Sequence, residues 1–182
     1  VMDGKFVAQK TFDEEIVKKI NSNCLIPLDV HLMIEKPIKK IKCYKRVGAN
    51  ILTVHFESFK NGKQVREALK KIRKQKMLAG LSIKPETGAY EIEEFLDLVD
   101  VVLVMSVEPG KSGQKFLDNT KEKISALVSI KQERGLGYKI EVDGGINPTI
   151  SKQIRKLGAD MIVSGSYVFE SENRKSAIES LL

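Results

Sequence analysis

The sequence has little of several residue types, and each scarcity excludes a class of protein. Its 182 residues include no tryptophan, two cysteines and two histidines. Cys24 and Cys43 do not have the close spacing of a metal-binding pair, which indicates free thiols and a cytoplasmic protein. No apolar run approaches the roughly 20 residues that a membrane-spanning helix requires. We therefore expect a cytoplasmic protein that does not act at a membrane.

Composition and charge indicate what kind of protein this is and which partners it can bind. The chain is 42% hydrophobic and 30% charged, which is typical of one globular domain, here residues 1–182. The formal net charge is +7, but most of the lysines fall in helical segments such as 36–46 and 65–76. Lysines in such segments usually cover solvated helix faces, so we expect no nucleic-acid partner. A basic surface also suits a small anionic substrate.

A short apolar segment, Leu28–Met33, carries two polar residues at its centre. It is predicted to be a buried strand because Pro27 precedes it and a turn at 35–37 follows it. A buried strand seldom holds residues such as Asp29 and His31 unless they are hydrogen-bonded, bind a metal or take part in chemistry. Two interpretations stay open: a core histidine bonded to a neighbouring strand, or a functional histidine.

Strand-like and helical segments alternate along the chain, with six clear strands and a seventh implied by Val1-Met2. This alternation predicts a parallel α/β sheet, either doubly wound or closed into a (β/α)8 barrel. Glycines follow the last three strands rather than the first, which favours a phosphate-binding barrel. Because such barrels usually need about 250 residues, we predict a (β/α)8 TIM barrel that is incomplete at the N-terminus by roughly one βαβ unit.

In a barrel of this kind, the carboxyl ends of the strands line the active site. Three such ends carry His31, His55 and Asp143, and two histidines with a carboxylate indicate a divalent metal site. Asp143 precedes two glycines and suits a ligand, a base or both, while a turn aspartate that caps the next helix is the alternative. Glu57 is either an outer-shell partner of a ligand or the partner of a lysine.

Glycine-bearing loops after the later strands suit a phosphate group. Gly144-Gly145 and Gly165-Ser166 each follow a strand and can offer backbone N–H groups at a helix N-terminus, with ordinary turn glycines as the alternative. The loop Pro109–Gln114 is flexible and basic and can close over a substrate. Three methionines are expected near the mouth of the barrel, as core filler or as the lining of a dry pocket: Met2, Met33 and Met105.

Six motifs, in order along the chain, carry a resemblance to a known family. They are Val1–Gly4, Leu28–Met33, Val104–Gly110, Gly113-Gln114, Glu141–Asn147 and Ser164–Ser166. Together they resemble the ribulose-phosphate 3-epimerase family. The resemblance implies a barrel of the ribulose-phosphate-binding type and the interconversion of D-ribulose 5-phosphate and D-xylulose 5-phosphate in the pentose phosphate pathway. It also implies a divalent metal and a homo-oligomer, either a dimer or a hexamer.

The same resemblance implies roles for individual residues. His31 would ligate the metal and face the substrate, and Asp143 would be both a metal ligand and one of two acid/base groups. The metal would be Zn²⁺, Fe²⁺, Mn²⁺ or Co²⁺. Met2, Met33 and Met105 match the family's methionines near the reacting carbons. The substrate and its phosphate would be held by Gly110, Lys111, Ser112, Gly113, Gly144, Gly145, Gly165 and Ser166.

Parts of the family's pattern have no counterpart in the sequence. A serine of the first strand, and a His and an Asp just upstream of Val1, would supply substrate binding, two metal ligands and the second acid/base group. We therefore expect these 182 residues alone to be unable to complete the reaction. Asp3 is not the catalytic aspartate of its motif, and Lys111-Ser112 stands where a Phe-Gly pair is usual.

Other functions stay open. A D-allulose-6-phosphate 3-epimerase would apply the same chemistry to a longer sugar. An orotidine-phosphate-decarboxylase-like lyase would need an Asp-x-Lys-x-x-Asp strand motif, which Asp29–Met33 does not supply. A non-catalytic sugar-phosphate-binding remnant is the third alternative, if the N-terminal segment is truly absent.

Overall fold

The computed structural model describes residues 1–182 and shows an α/β protein. The strands are β1 (Met2–Asp3), β2 (Lys10–Thr11), β3 (Leu28–Leu32), β4 (Ala49–His55), β5 (Leu78–Ile83), β6 (Val101–Met105), β7 (Lys139–Asp143) and β8 (Met161–Val163). The α-helices are α1 (Glu14–Asn23), α2 (Ile41–Arg46), α3 (Gly62–Lys74), α4 (Asn119–Glu133), α5 (Pro148–Leu157), α6 (Ser166–Phe169) and α7 (Arg174–Leu181). Three further segments form 3-10 helix: Pro37–Lys39, Phe56–Ser58 and Ala89–Leu98. No helix combines the length and the apolar composition needed to cross a membrane.

Strands β3 to β8 form a parallel sheet in the order β3-β4-β5-β6-β7-β8. The predicted alternation of strands and helices is thereby confirmed, since parallel neighbours need a crossover connection between them. The chain divides into two compact units, called unit 1 (residues 1–82 and 94–101) and unit 2 (residues 83–93 and 102–182). That residues 1–182 behave as one domain stays a prediction.

Unit 1 builds its core from β4 and from one face of α3. Leu52 and Val54 of β4 have no exposed surface. The buried residues of α3 recur at the three- and four-residue spacing of a single helical face: Val65, Ala68, Leu69 and Ile72. The basic residues of this helix therefore lie away from the core, as the sequence predicts.

Unit 2 builds its core from β6 and α4. All residues of β6 are buried, so this strand is apolar on both faces, as expected for a parallel sheet. Helix α4 buries Ile124, Leu127 and Ile130. Tyr138, just before β7, packs here and its hydroxyl donates to the Leu127 carbonyl at 2.6 Å. Burial raises the pKa of Tyr138 to about 12.

Four helices begin at an Asp or Asn side chain. Each of these side chains accepts a hydrogen bond from the backbone N–H three residues later, at 2.9 to 3.1 Å. The bond satisfies one of the N–H groups that the first helical turn leaves without a partner, so it fixes where the helix starts. The capping residues are Asp13 for α1, Asn61 for α3, Asn147 for α5 and Asn173 for α7.

The first residues of the chain lie beside β3. The Val1 amino group donates to the His31 carbonyl at 2.7 Å, and the Met33 N–H donates to the Val1 carbonyl at 2.8 Å. Met2 forms a parallel bridge with Met33. The predicted strand end at Val1-Met2 is therefore confirmed. Its antiparallel pairing with β2 was not predicted, because a two-residue strand has no readable period.

Asp3 holds the turn that follows β1. Its carboxylate accepts hydrogen bonds from the N–H groups of Lys5 (2.8 Å), Phe6 (2.9 Å) and Glu35 (2.8 Å). Burial by itself would raise the pKa of Asp3, but these N–H groups favour the charged form and hold the pKa below its ordinary value of 3.8. This structural role agrees with the prediction that Asp3 is not catalytic.

Two segments differ from the sequence pattern. The pattern predicts an α-helix over 89–98, and the structure has a 3-10 helix there. The pattern also predicts one final helix from about Glu172, whereas the structure places α6 before it and begins α7 at Arg174. Apolar spacing over ten residues does not separate a 3-10 helix from an α-helix, and α6, with four residues, is too short to show a period.

Replacing Asp3 with alanine should lower the free energy of unfolding by about 2 kcal/mol at neutral pH, because three N–H groups lose a charged acceptor. Since the pKa of Asp3 is lowered by folding, this stabilisation is present above the ordinary value of 3.8 and is lost as the pH falls through the folded-state pKa. Urea unfolding of wild type and Asp3→Ala should therefore differ at neutral pH and converge in acid. Asp97→Ala, which removes an exposed carboxylate, is the control, and an equal loss at both pH values would contradict the assignment.

Candidate active site

Two histidines face each other in unit 1. His31 lies on β3 in register with Thr53, two residues before His55 at the end of β4. Side chains two residues apart lie on the same side of a strand, so both imidazoles share one face of the sheet. Their Nε2 atoms are 2.8 Å apart, and the ring centroids are 4.8 Å apart with an interplanar angle of 26°.

His55 is fully buried and has two further neighbours. Its Nδ1 lies 3.1 Å from Oε2 of Glu57, in the 3-10 segment that follows β4. The Phe6 ring centroid is 4.8 Å from that of His55, at an angle of 44°. Buried polar atoms need hydrogen-bond partners, and His31 and Glu57 supply one to each ring nitrogen of His55. Glu57 therefore contacts a histidine, and its role as an outer-shell partner of a metal ligand stays a prediction.

His31 was interpreted either as a core histidine bonded to a neighbouring strand or as a functional histidine, and the geometry bears on both. A histidine bonded to a neighbouring strand is what the structure shows, with His55 as the partner. The ring of His31 is nevertheless only half-buried, so it also has the access that a functional histidine needs. Sequence reasoning named both histidines, but it did not anticipate that they would bond to each other.

The predicted methionines lie in different surroundings. Met33 is buried and Met2 half-buried, side by side at the edge of β3. Met2 lines a cavity of about 510 Å³ together with Ile34 and Tyr44, and none of the other predicted site residues lines it. Met105, in unit 2, is 2% exposed at the end of β6, which agrees with the expectation of core filler.

Asp143 ends β7 in unit 2, in register with Val163 of β8, and is half-buried. Ser106 holds its backbone: the Ser106 N–H and Oγ each donate to the Asp143 carbonyl at 2.8 Å, and Oγ lies 2.6 Å from the Gly144 carbonyl. Ser106 has no exposed surface, so water does not compete for these bonds. Sequence reasoning missed Ser106, although a serine directly after the most apolar strand was an available signal.

Gly144 and Gly145 both have left-handed backbone conformations, with φ of +121° and +62°. A Cβ added to Gly145 would lie 2.5 Å from the Phe116 backbone nitrogen and 2.8 Å from the Gln114 carbonyl oxygen. Because both neighbours are backbone atoms that cannot turn away, only glycine fits here. The loop 108–116 therefore packs directly against Gly145.

The loop 108–116 is closed by a side chain. Nε2 of Gln114 donates to the carbonyls of Glu108 (2.7 Å) and Lys111 (2.8 Å). Gly110 is buried, whereas the tip of the loop, 111–113, is exposed. The structure thus presents Lys111, Ser112 and Gly113 to solvent, where a charged ligand can reach them.

Gly165 and Ser166 lie at the end of β8. Gly165 caps α6 and Ser166 is the first residue of that helix, so this pair lies at a helix N-terminus, as predicted. It is exposed, and a Cβ added to it would meet nothing within 4 Å. Gly144-Gly145 differs, because Asn147 and not a glycine caps α5. Unit 2 brings the two glycine pairs to the ends of neighbouring strands, together with Asp143.

The predicted metal ligands, His31 and Asp143, belong to different units. Imidazole nitrogen and carboxylate oxygen are suitable donors for the divalent metals that the sequence predicts. No group of three or more His, Cys, Asp or Glu side chains is arranged so that it could hold a metal ion. Catalytic metal sites usually use three protein ligands, so neither predicted ligand completes a coordination shell within its own unit.

Solved structures of low sequence identity share the fold. KGPDC from Streptococcus mutans matches with a TM-score of 0.71 and 14% identity, over 92% of this chain and 76% of that one. 3-Hexulose-6-phosphate synthase from Salmonella typhimurium matches with a TM-score of 0.67 and 14% identity, over 92% and 77%. These neighbours are TIM-barrel enzymes, and at such identities the similarity concerns the fold alone.

Proteins named ribulose-phosphate 3-epimerase are similar to this chain in sequence. The ribulose-phosphate 3-epimerase of Treponema pallidum is 40% identical over 174 residues, which are 96% of this chain and 78% of that protein. The ribulose-phosphate 3-epimerase of Bacillus subtilis is 37% identical over 182 residues, which are 100% of this chain and 82% of that protein. The profile of the "Ribulose-phosphate 3 epimerase family" matches residues 1–169. The chain therefore belongs to the ribulose-phosphate 3-epimerase family, a family of isomerases.

Proposed function

We propose that this protein interconverts D-ribulose 5-phosphate and D-xylulose 5-phosphate by inverting the configuration at C3. The observation that carries the proposal is the 37 to 40% identity, over nearly the whole chain, to proteins named ribulose-phosphate 3-epimerase. Asp143, which the family resemblance implies to be an acid/base group, lies half-buried at the end of β7. We place the protein in sugar-phosphate metabolism in the cytoplasm.

The chemistry follows from the substrate. A hydrogen on a carbon next to a ketone is acidic, and inversion requires its removal from one face and the return of a proton to the other. Two groups are needed, one on each face of C3. We assign one of them to Asp143.

We assign the phosphate to unit 2. Gly144-Gly145 and Gly165-Ser166 lie at the ends of β7 and β8, and their backbone N–H groups suit an anion. Lys111 and Ser112 are exposed at the tip of the 108–116 loop and would add a cation and a hydroxyl. Gly110 and Gly113, both with positive φ, shape that loop around the ligand.

We further propose one divalent metal ion, Zn²⁺, Fe²⁺, Mn²⁺ or Co²⁺, with His31 and Asp143 among its ligands. The donor chemistry of these two side chains supports the assignment. When bound, the metal would stabilise the negative charge that develops on the substrate oxygens as the C3 proton leaves. His31 would also face the substrate, with Met2, Met33 and Met105 near the reacting carbons.

The finer architecture is also a proposal. We propose that the six parallel strands belong to a (β/α)8 barrel of the ribulose-phosphate-binding type, supported by the TM-scores of 0.71 and 0.67 to barrel enzymes. A homo-oligomer, dimer or hexamer, is proposed from the family resemblance and can be measured by analytical ultracentrifugation.

The activity can be tested by incubating the protein with D-ribulose 5-phosphate in D₂O. We expect D-xylulose 5-phosphate that carries deuterium at C3, because the proton returned comes from solvent. D-Allulose 6-phosphate is assayed in parallel, and faster turnover of it would replace the proposed substrate. Binding without turnover or exchange would identify a non-catalytic protein instead.

Replacing Gly165 with valine should raise the KM for the sugar phosphate and leave stability and metal content unchanged. The reason is that the new side chain enters open space, where no protein atom lies within 4 Å of its Cβ, and so obstructs the ligand rather than the fold. Gly137→Val is the matched control, since Gly137 is also exposed and its Cβ would also meet nothing. If KM is the same in Gly165→Val and wild type, this loop does not bind the substrate.

Replacing Asp143 with asparagine should reduce turnover of the active protein by roughly 10²–10⁴-fold, because the amide cannot take up the proton. Metal affinity should also fall, since a neutral amide is a poorer ligand than a carboxylate. Saturating the variant with metal separates the two effects, and a full return of the wild-type rate would show that Asp143 is only a ligand. Proton exchange at C3 gives the finer measurement: loss for one epimer alone places Asp143 on one face, whereas equal loss for both indicates a collapsed site.

Asp160→Asn is the control for the Asp143 variant. Asp160 is a carboxylate of unit 2 that accepts the Ile140 N–H at 2.9 Å and lies 3.0 Å from the Lys139 ammonium. Its loss should lower stability and leave turnover unchanged, because its role is structural.

A further inference from the structure

The hydroxyl of Ser106 lies against the turn that follows β7 in unit 2. Its Oγ is 2.8 Å from the Asp143 carbonyl oxygen and 2.6 Å from the Gly144 carbonyl oxygen. We propose that Ser106 is a positioning residue, which directs the backbone N–H of Gly145 towards the phosphate of the substrate. The proposal rests on the proposed function for the identity of that ligand, whereas the orientation of the turn can be measured without a substrate.

The direction of the Gly145 N–H follows from the geometry of the peptide unit. A peptide unit is planar and trans, so its C=O and its N–H point in opposite directions. The Gly144 carbonyl and the Gly145 N–H belong to one unit. Because that carbonyl accepts from Oγ of Ser106, the N–H points away from Ser106. This N–H donates to no other backbone group, and Gly145 is half-buried, so a ligand can reach the donor.

Two successive glycines need a restraint of this kind. Gly144 and Gly145 have φ of +121° and +62°, and glycine adopts other backbone conformations about as readily. A turn that samples several conformations must be ordered when the ligand binds, which weakens binding. Oγ of Ser106 restrains two consecutive peptide units of this turn. The N–H of Gly145 is therefore oriented before the ligand arrives.

Ser106 is itself held in place from several sides. It directly follows β6 and has no exposed surface, so water does not replace its hydroxyl. Its N–H donates to the Asp143 carbonyl at 2.8 Å, and its carbonyl accepts from the Leu117 N–H at 2.9 Å. The Val107 side chain fills the space that a Cβ of Gly144 would need. The backbone bonds of Ser106 thus fix its hydroxyl, and the hydroxyl fixes the turn.

Ser106→Ala separates an effect on the phosphate from an effect on Asp143. In this variant the backbone N–H of residue 106 still holds the Asp143 carbonyl, whereas the Gly144 carbonyl loses the hydroxyl. The KM for the sugar phosphate should rise roughly 10-fold, which is the size of effect expected from ordering about one residue's backbone. The change in kcat should be smaller. A lower kcat with an unchanged KM would show that Ser106 acts on Asp143 instead, which overturns the proposal.

Ser151→Ala is the matched control. Ser151 is also a buried serine of unit 2, and its hydroxyl donates to the Leu181 carbonyl at 2.6 Å. Its loss should lower stability, as the loss of the Ser106 hydroxyl does, because each variant leaves a buried carbonyl without this donor. KM and kcat should stay as in wild type. If Ser151→Ala raises KM as much as Ser106→Ala does, the effect reflects reduced stability alone and the proposal fails.

A second measurement observes the Gly145 amide directly by ¹H–¹⁵N NMR, with inorganic phosphate as the probe. In the wild type, this resonance should shift as phosphate is added, and its saturation gives a Kd. Ser106→Ala should raise that Kd roughly 10-fold and, without ligand, show lower order for Gly144 and Gly145 in ¹⁵N relaxation. Ser151→Ala should match wild type. A wild-type Gly145 resonance that does not respond to phosphate, or an unchanged Kd in Ser106→Ala, overturns the proposal.

The two measurements distinguish failure of this proposal from failure of the proposed function. A phosphate response of Gly145 that depends on Ser106, in a protein without epimerase activity, would reject the function and retain the positioning role. Epimerase activity with a KM that Ser106→Ala leaves unchanged would retain the function and reject the positioning role.

Discussion

A polar group buried in an apolar sheet must find a hydrogen-bond partner, and this constraint organises the strand ends of the protein. His55, Ser106 and Tyr138 are all buried, and each is bonded to a neighbouring segment rather than to water. A buried donor or acceptor without a hydrogen bond costs about 1–3 kcal/mol. Each of these bonds therefore holds the buried side chain against the segment to which it is bonded. Exceptions do occur: the buried hydroxyls of Thr53, Ser82 and Thr120 have no partner in the structure.

How much of the fold was predictable depends on how strong a local sequence pattern each element has. The strands β3 to β8 were predicted because runs of apolar residues between Gly and Pro carry a strong local pattern. Helix α5 was predicted at its observed bounds, since Asn147-Pro148 starts it and Gly158 ends it. The β1–β2 pairing and α6 were not predicted, because elements of two to four residues have no period to read.

The strand-end positions of the candidate residues were predictable from the sequence, but their contacts were not. Strand-end position alone identified His31, His55 and Asp143 as candidates. Their hydrogen bonds depend on the register between strands, for example His31 opposite Thr53, and one sequence does not state that register. The support of Asp143 by Ser106 was missed for the same reason, since 37 residues separate the two along the chain.

Because the 108–116 loop packs against Gly145, the loop would lose less conformational entropy when it closes over a ligand. Phe116 and Gln114 are already fixed at that contact, and Gln114 joins the two sides of the loop through the carbonyls of Glu108 and Lys111. Only the few exposed residues at the tip remain to be ordered, at a cost of roughly 1–2 kcal/mol each. A free nine-residue loop would lose several times as much. If this loop binds the phosphate as proposed, more of the energy of those contacts would be left to hold the ligand.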